Sequence, residues 1–234
     1  IGPYVYKDIN SDRREVDINI INIKKTMLYQ REVRNYMRKP NIPAMINKIC
    51  EDGNRILFIF KLIQYLTETD DKKQILVLSD RRNHLTQLYN IVTNNKTCSV
   101  GYYVGGMKEL DLKKSEHQTL ILGTYSMSSE GMDIPSLNTL ILASPKSDIQ
   151  QSVGRILRKK SDTMPSVYDI NDGFSTFENQ CKKRKAFYRK EEFDQYMIDV
   201  DLFETQINIE KIIDSKIKIP TKTKKKIRLS LRHR

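Results

Sequence analysis

The chain has 234 residues, of which 38% are hydrophobic and 30% charged, with a formal net charge of +12. That length allows one good core plus an appendage. It excludes a helical membrane span, because no apolar run nears the ~20 residues a bilayer requires. No secretory leader is visible. Cys50, Cys98 and Cys181 are too far apart, and odd in number, for a disulfide framework or a zinc pattern. They point to a reducing, intracellular compartment, with cytoplasm, nucleus and virion equally open. The first residue is Ile1, so the chain reads as a piece of a longer polypeptide.

Residues 15–23 alternate as Val16, Ile18 and Ile20, then shift phase to Ile21 and Ile23, which predicts a strand with a bulge. Residues 24–38 are polar and read as partly helical. Pro40 and Pro43 punctuate the chain, and 43–50 and 53–68 follow as helices, the second with Ile56, Phe60, Ile63 and Leu66 at helical spacing. From residue 74 strands and helices alternate. Strand 74–79 leads to helix 82–93, strand 98–103 to helix 107–114, and strand 118–123 to a short helix near 126–130. Strand 138–143 leads to helix 147–158, and strand 166–170 to helix 175–190. Short, continuously apolar strands between helices predict an α/β fold, a parallel sheet with helices on both faces and right-handed crossovers. The expected division is an N-terminal extension over 1–50, the α/β domain over 51–195 and a basic tail over 196–234.

Charge is uneven. Residues 211–234 carry ten Lys/Arg against Asp214, whereas 161–210 carry six against eleven acids. Such a basic surplus suits a polyanion. The tail reads equally as a solvated end, a localisation signal around 222–228 or a phosphate grip. The run Lys182-Lys183-Arg184-Lys185 reads as a solvated helix face.

The most informative stretch is 147–158, SDIQQSVGRILR. Ser147 and Gln150 have capping-box spacing, so a helix is expected to start there. Ile149, Val153, Ile156 and Leu157 then form an apolar stripe, with Gln151, Gly154, Arg155 and Arg158 opposite. A mid-helix glycine costs about 1 kcal/mol relative to alanine. Beside two arginines it suggests close approach of an anion. The alternative is an arginine pair that simply meets water.

Upstream, Leu120-Ile121-Leu122 and Leu140-Ile141-Leu142 flank a polar segment with Thr124, Ser126, Glu130, Gly131 and Asp133. Thr124 through Gly131, with Asp133-Ile134-Pro135, resembles motif V of superfamily 2 helicases, and Gln151-x-x-Gly154-Arg155-x-x-Arg158 resembles motif VI, in the right order and at the right separation. Residues 74–82 (QILVLSDRR) resemble motif IV, and Tyr103-Val104-Gly105-Gly106-Met107-Lys108 resembles the loop that touches the nucleic-acid backbone. The similarity covers about 74–158, more weakly to about 190; Gly131-Met132-Asp133-Ile134-Pro135 and Tyr168-Asp169-Ile170 look most like helicases of large DNA viruses and phages, the poxvirus transcript-release helicase being the nearest type.

The resemblance implies the second RecA-like domain of a helicase motor. Arg158 would be the arginine finger, Arg155 its partner at the γ-phosphate, and Gln151 a contact to that phosphate or the attacking water. Gly131 and Asp133 would meet the nucleotide, the carboxylate accepting from ribose hydroxyls. Asp133 also fits a turn or cap before Pro135. Ser79, Arg81, the Gly105-Gly106 amides and Thr124 would grip a single strand of DNA or RNA without reading sequence. The chain has no G-x-x-x-x-G-K-[ST] and no Asp-Glu pair after a strand, so ATP and Mg2+ would be held mainly by a first RecA-like domain of the same polypeptide. Tyr102 and Tyr103 read as base-stacking or, more simply, buried strand residues. Asp80 and Arg82 read as solvated, and His84 and His117 have no spacing that suggests a metal or catalysis. Two rivals come from other classes: a non-catalytic nucleic-acid-binding module retaining the fold, and an interaction domain built around the basic tail.

Overall fold

The computed structural model describes residues 15–24, 31–129, 132–156, 164–203 and 207–220. In chain order these form β1 (Asp17–Ile23), α1 (Ile42–Cys50), α2 (Gly53–Thr69), β2 (Ile75–Leu78), α3 (Arg82–Asn94), β3 (Val100–Tyr103), α4 (Glu109–Ser115) and β4 (Leu120–Gly123). There follow α5 (Tyr125–Ser129), β5 (Thr139–Leu142), α6 (Gln150–Ile156), β6 (Ser166–Asn171), α7 (Ser175–Lys190), β7 (Asp194–Val200), α8 (Ile209–Asp214) and β8 (Ile217–Lys218). One eight-stranded sheet has the order β3-β4-β2-β5-β6-β1-β7-β8. Every neighbouring pair is parallel except β7 with β8.

The strands ILVL, LILG and TLIL of β2, β4 and β5 are buried at every position, as strands covered on both faces require. One face packs on α1, α2, α3 and α8, and the other on α5, α6 and much of α7. Asn41 and Asp52 cap α1 and α2, each side chain accepting from a backbone N–H in the first turn, at 3.2 and 2.9 Å. The α/β architecture with a parallel sheet is the expected one. No helix among the described residues is long and apolar enough to cross a membrane.

Four expectations need correction. The phase shift in β1 is not a bulge. Its register runs unbroken against β6 (Asp17↔Ser166 to Asn22↔Asn171) and β7 (Asp17↔Asp194 to Ile23↔Val200). Ile18 and Ile20 fill one core, Ile21 and Ile23 the other, so an interior strand apolar on both faces mimics a change of phase. The described part of 24–38 is not helical; residues 34–40 form a tight reversal closed by an Arg34–Pro40 bridge. The helix expected from Ser147 begins at Gln150, because the Asp148 side chain accepts from the Gln150 N–H (3.3 Å) and holds 148–150 as a turn. Finally, a boundary at 195/196 falls inside β7, while Ile207, Ile209 and Ile213 are buried against the helical layer. Residues 194–203 and 207–220 therefore belong to the folded unit, as β1 does. Residues 221–234 lie outside the described residues, as do 1–14 and 25–30.

Candidate functional site

Successive parallel strands end on one edge of the sheet, so the segments that follow them converge there. After β4, Thr124 is half-buried and its Oγ1 lies 3.2 Å from Ser126 Oγ. Tyr125 anchors α5: its ring is buried and its hydroxyl donates to the Ser144 carbonyl after β5 (2.7 Å). Ser128 Oγ meets Ser152 Oγ of α6 at 3.3 Å. Arg155 closes the arrangement. Its Nε donates to the Ser128 carbonyl (2.9 Å) and its Nη1 to the Met132 carbonyl (2.6 Å). Carbonyls at a helix end lack intrahelical partners, and a cationic fork is a strong donor to them. The guanidinium thus joins the segment after β4 to α6.

On α6, Ile149, Val153 and Ile156 are buried as the apolar stripe predicts, and Gln151 is exposed. A Cβ added at Gly154 meets nothing within 4 Å, so no described residue fills this face. Asp133, which follows Met132, is exposed. Gly131, Leu157 and Arg158 lie outside the described residues. The structure therefore brings Ser152 and Arg155 of α6 against Ser128 and Met132, and leaves Gln151 and Asp133 exposed.

The neighbouring part of the edge differs from expectation. Ser79 is fully buried: its Oγ sits 3.0 Å from His84 Nδ1 and accepts from the Arg81 N–H (3.2 Å). A hydroxyl so enclosed cannot meet a phosphate, so the expected contact is corrected. Arg81 is corrected too. Its guanidinium donates to Asn47 Oδ1, to the Pro43 carbonyl (3.2 Å) and to its neighbour's carbonyl at Asp80 (3.1 Å), tying α3 to α1.

The exposed cation here is Arg82, which sequence reasoning set aside as solvated. Its Nη2 donates to the Gly105 carbonyl and braces the 104–107 loop. Gly106 has φ +85°, a conformation that favours glycine, and nothing lies within 4 Å of an added Cβ. Asp80 is not merely solvated either: its N–H donates to Ser144 Oγ (2.9 Å) and its carboxylate lies 3.5 Å from Lys146 Nζ. The signal missed for Arg82 and Lys146 was their place directly after strand ends.

His84 is the other surprise. It is fully buried and its Nε2 has no hydrogen-bond partner among the described residues. Burial, with the nearby Arg55 charge, pushes its pKa down to about 3. A cavity of about 190 Å³ opens beside it, between Asn47, Cys50 and Glu51 on the α1 side and residues 81–84 of α3. Burial pushes the Cys50 thiol up to about 11, so it is an inert lining group. Tyr103 is buried and Tyr102 stacks on Tyr89 (centroids 4.6 Å apart), the simpler of their two readings. Within the expected basic face 182–185, Arg184 is buried against Asp169. Among the described residues no group of three or more His, Cys, Asp or Glu is placed to hold a metal.

Residues 58–160 match the family described as helicase conserved C-terminal domain. The chain is 41% identical over 174 residues to the "Putative ATP-dependent RNA helicase L396" of Acanthamoeba polyphaga mimivirus, covering 73% of this chain and 33% of that protein. It is 24% identical over 157 residues to the "Putative ATP-dependent RNA helicase QP509L" of African swine fever virus, covering 63% of this chain and 31% of that protein. It thus spans about a third of the length of these curated relatives. In fold it is similar to T4 UvsW, with a TM-score of 0.62 and 20% identity over 81% of this chain and 42% of that one. It is also similar to yeast Dbp5 bound to RNA and ADP BeF3, with a TM-score of 0.50 and 12% identity over 84% of this chain and 44% of that one. With the motifs in order along a RecA-like sheet, residues 58–160 carry a C-terminal helicase domain of the superfamily 2 type, and the curated relatives named here are viral.

Proposed function

We propose that this chain is the second motor domain of a nucleic-acid-dependent ATPase of the helicase type, closing over a nucleotide held by a first RecA-like domain of the same polypeptide. The observation that carries the reading is the Arg155 bridge to the Ser128 and Met132 carbonyls. It fixes Ser128 and Met132, and with them the exposed Asp133 that follows, against the helix bearing Gln151, so that guanidinium and carboxylate groups share one edge. That donor set fits a triphosphate and its ribose: planar guanidinium forks match phosphate oxygens, and a carboxylate accepts from sugar hydroxyls. The open face at Gly154 leaves room for the ligand. ATP supplies the phosphoryl chemistry when bound. The chain's own part is to orient Gln151 and Arg155, and to supply Arg158, four residues after Gly154 in the sequence, as a finger against the charge of the transition state. Mg2+ is assigned to the first domain.

A single strand is proposed to cross the edge over the Gly105-Gly106 loop, Thr124 and Arg82, held by its backbone and tolerant of sequence. Ser79 and Arg81 support that surface from behind.

The test uses the complete polypeptide. Arg158→Ala is expected to lower ATP turnover by about 10³–10⁵-fold while nucleotide affinity and melting temperature stay near wild type. Arg158→Lys is expected to rescue poorly, because an ammonium lacks the planar fork. Wild-type turnover in the alanine variant would remove the finger; a large fall in melting temperature would make the residue structural.

A further inference from the structure

The reversal at residues 34–40 lies outside the segment that matches the helicase family, and the proposed function gives it no role. It is strongly built. Asn35 Oδ1 accepts from both Met37 N–H and Lys39 N–H, each at 3.0 Å. The Asn35 N–H donates to the Lys39 carbonyl, and the Arg38 N–H to the Asn35 carbonyl, each at 2.9 Å. Arg38 takes φ +60°, held there by this staple. The base is anchored as well. Val33 packs on the core, Ser175 Oγ donates to Glu32, and Lys48 Nζ donates to the Arg31 carbonyl (3.2 Å).

This rigid turn displays Tyr36 at 88% exposure and Met37 at 56%, while its hydrogen bonds involve neither side chain. An aromatic ring held in water on a stapled turn gains nothing for the fold. Around it, residues 31–39 carry Arg31, Arg34, Arg38 and Lys39 against one acid, Glu32, which is paired with Arg34 at 2.7 Å. A protein-binding core is depleted in lysine and charge, and two apolar side chains ringed by cations do not make such a core. An unpaired base with flanking phosphates fits: its π face meets the ring and its backbone meets the cations. The place agrees. The turn leads directly into α1, whose Pro43 and Asn47 hold Arg81, next to the Arg82–Gly105 contact on the carboxyl edge.

We propose that the turn at residues 35–39 is a stacking platform for a base of single-stranded nucleic acid, with Tyr36 and Met37 against the base and Arg38 and Lys39 against the adjoining phosphates. The proposal rests on the reading of this edge as the path of a single strand.

The chain has no tryptophan, so Tyr36→Trp introduces a unique indole emission. A short labelled uridine oligomer reports binding by anisotropy, independently of that emission. The Tyr36→Trp variant is expected to keep near-wild-type affinity and lose emission on saturation. A phosphodiester oligomer lacking bases is expected to bind without quenching. Tyr36→Ala is expected to weaken binding of the uridine oligomer about 5- to 100-fold at an unchanged melting temperature. Arg38→Ser with Lys39→Ser is expected to reduce the salt slope by roughly 1.4, about 0.7 for each phosphate contact on a single strand. Wild-type affinity in Tyr36→Ala together with unquenched emission in Tyr36→Trp overturns the platform and leaves the helicase reading standing. No binding of the oligomer by the wild-type chain removes both.

Discussion

At the end of β6, two aspartates each hold an arginine away from water. Asp172 takes Arg55 of α2 at 2.8 and 3.2 Å, with both side chains fully buried. On the opposite face of the sheet, Asp169 takes Arg184 of α7 at 2.7–3.0 Å and also accepts from the Tyr188 hydroxyl (2.9 Å). Two strands away, at the end of β2, Arg81 and Arg82 are held by the Asn47 side chain and by the carbonyls of Pro43, Asp80 and Gly105. Each guanidinium is held by oxygen acceptors in both regions, but the charge is cancelled only in the first. A carboxylate neutralises the guanidinium it binds, whereas an amide oxygen leaves the positive charge to be felt at the edge. The same side chain therefore locks the two helical layers to β6 in one region and keeps a cationic edge in the other.

The largest effect should come from breaking a buried pair. Asp169→Ala leaves Arg184 without its counter-charge and Tyr188 without its acceptor, and is expected to cost about 3–5 kcal/mol in urea denaturation. Asp169→Leu combined with Arg184→Met should recover most of that loss, since the uncompensated charge is then gone. A cost below about 1 kcal/mol for the single change would mean that water reaches the pair, and would break the distinction between the two regions.

These two regions were not equally legible in the sequence. The alternation of apolar strands with helices was plain from residue 74, because buried parallel strands are written as continuous runs such as ILVL and LILG. β7 was not seen: Asp194, Gln195 and Asp199 interrupt its apolar residues, and its pairing with β1 lies far away in sequence. The stapled turn was read as helical because its staple is a single asparagine, with no glycine or Asn-Gly pair to mark it. Helical periodicity set the face of α6 on which Gln151 and Arg155 lie, whereas their naming as site residues came from the resemblance to motif VI. Ser79 and Arg81 could not be judged that way. Strand-end placement puts a residue at the edge, but whether its polar atoms face solvent depends on α1 and α3, which sequence spacing does not reveal. The same blindness hid Arg82, whose contact is with a loop 23 residues away.

His84 stands where the two regions meet, against Ser79 on one side and under the field of Arg55 on the other. Its pKa falls from 6.5 to about 3 on folding. The unfolded chain therefore binds a proton below pH 6.5 that the folded chain refuses. The stabilisation is complete above the unfolded value and is lost as pH falls from 6.5 toward 3. The slope is about 1.4 kcal/mol per pH unit. Between pH 6.5 and 5, before most carboxylates titrate, stability should fall by roughly 2 kcal/mol. His84→Phe should flatten that part of the profile. A wild-type profile already flat there would mean that the ring is protonated in the fold, and the region would be wetter than the buried pair beside it.

The smallest effects sharpen the contrast within the second region itself. Arg81 and Arg82 are adjacent, but Arg81 is half-buried across α1 whereas Arg82 is exposed and braces the loop at Gly105. Arg81→Ala removes the hydrogen bonds that tie α3 to α1 and should cost about 1 kcal/mol of stability. It should shift the salt dependence of oligonucleotide binding little, because its fork is already engaged by Asn47 and by the Pro43 and Asp80 carbonyls. Arg82→Ser should do the reverse. Its change in stability should stay within about 0.5 kcal/mol, as for other surface positions. The slope of log affinity against log salt should fall by about 0.7, the share of one phosphate on a single strand. Both quantities come from the same preparations, by denaturation and by titration at several salt concentrations. If the two variants change stability and slope in the same proportion, neutral acceptors do not separate a supporting arginine from a binding one, and the edge must be gripped elsewhere.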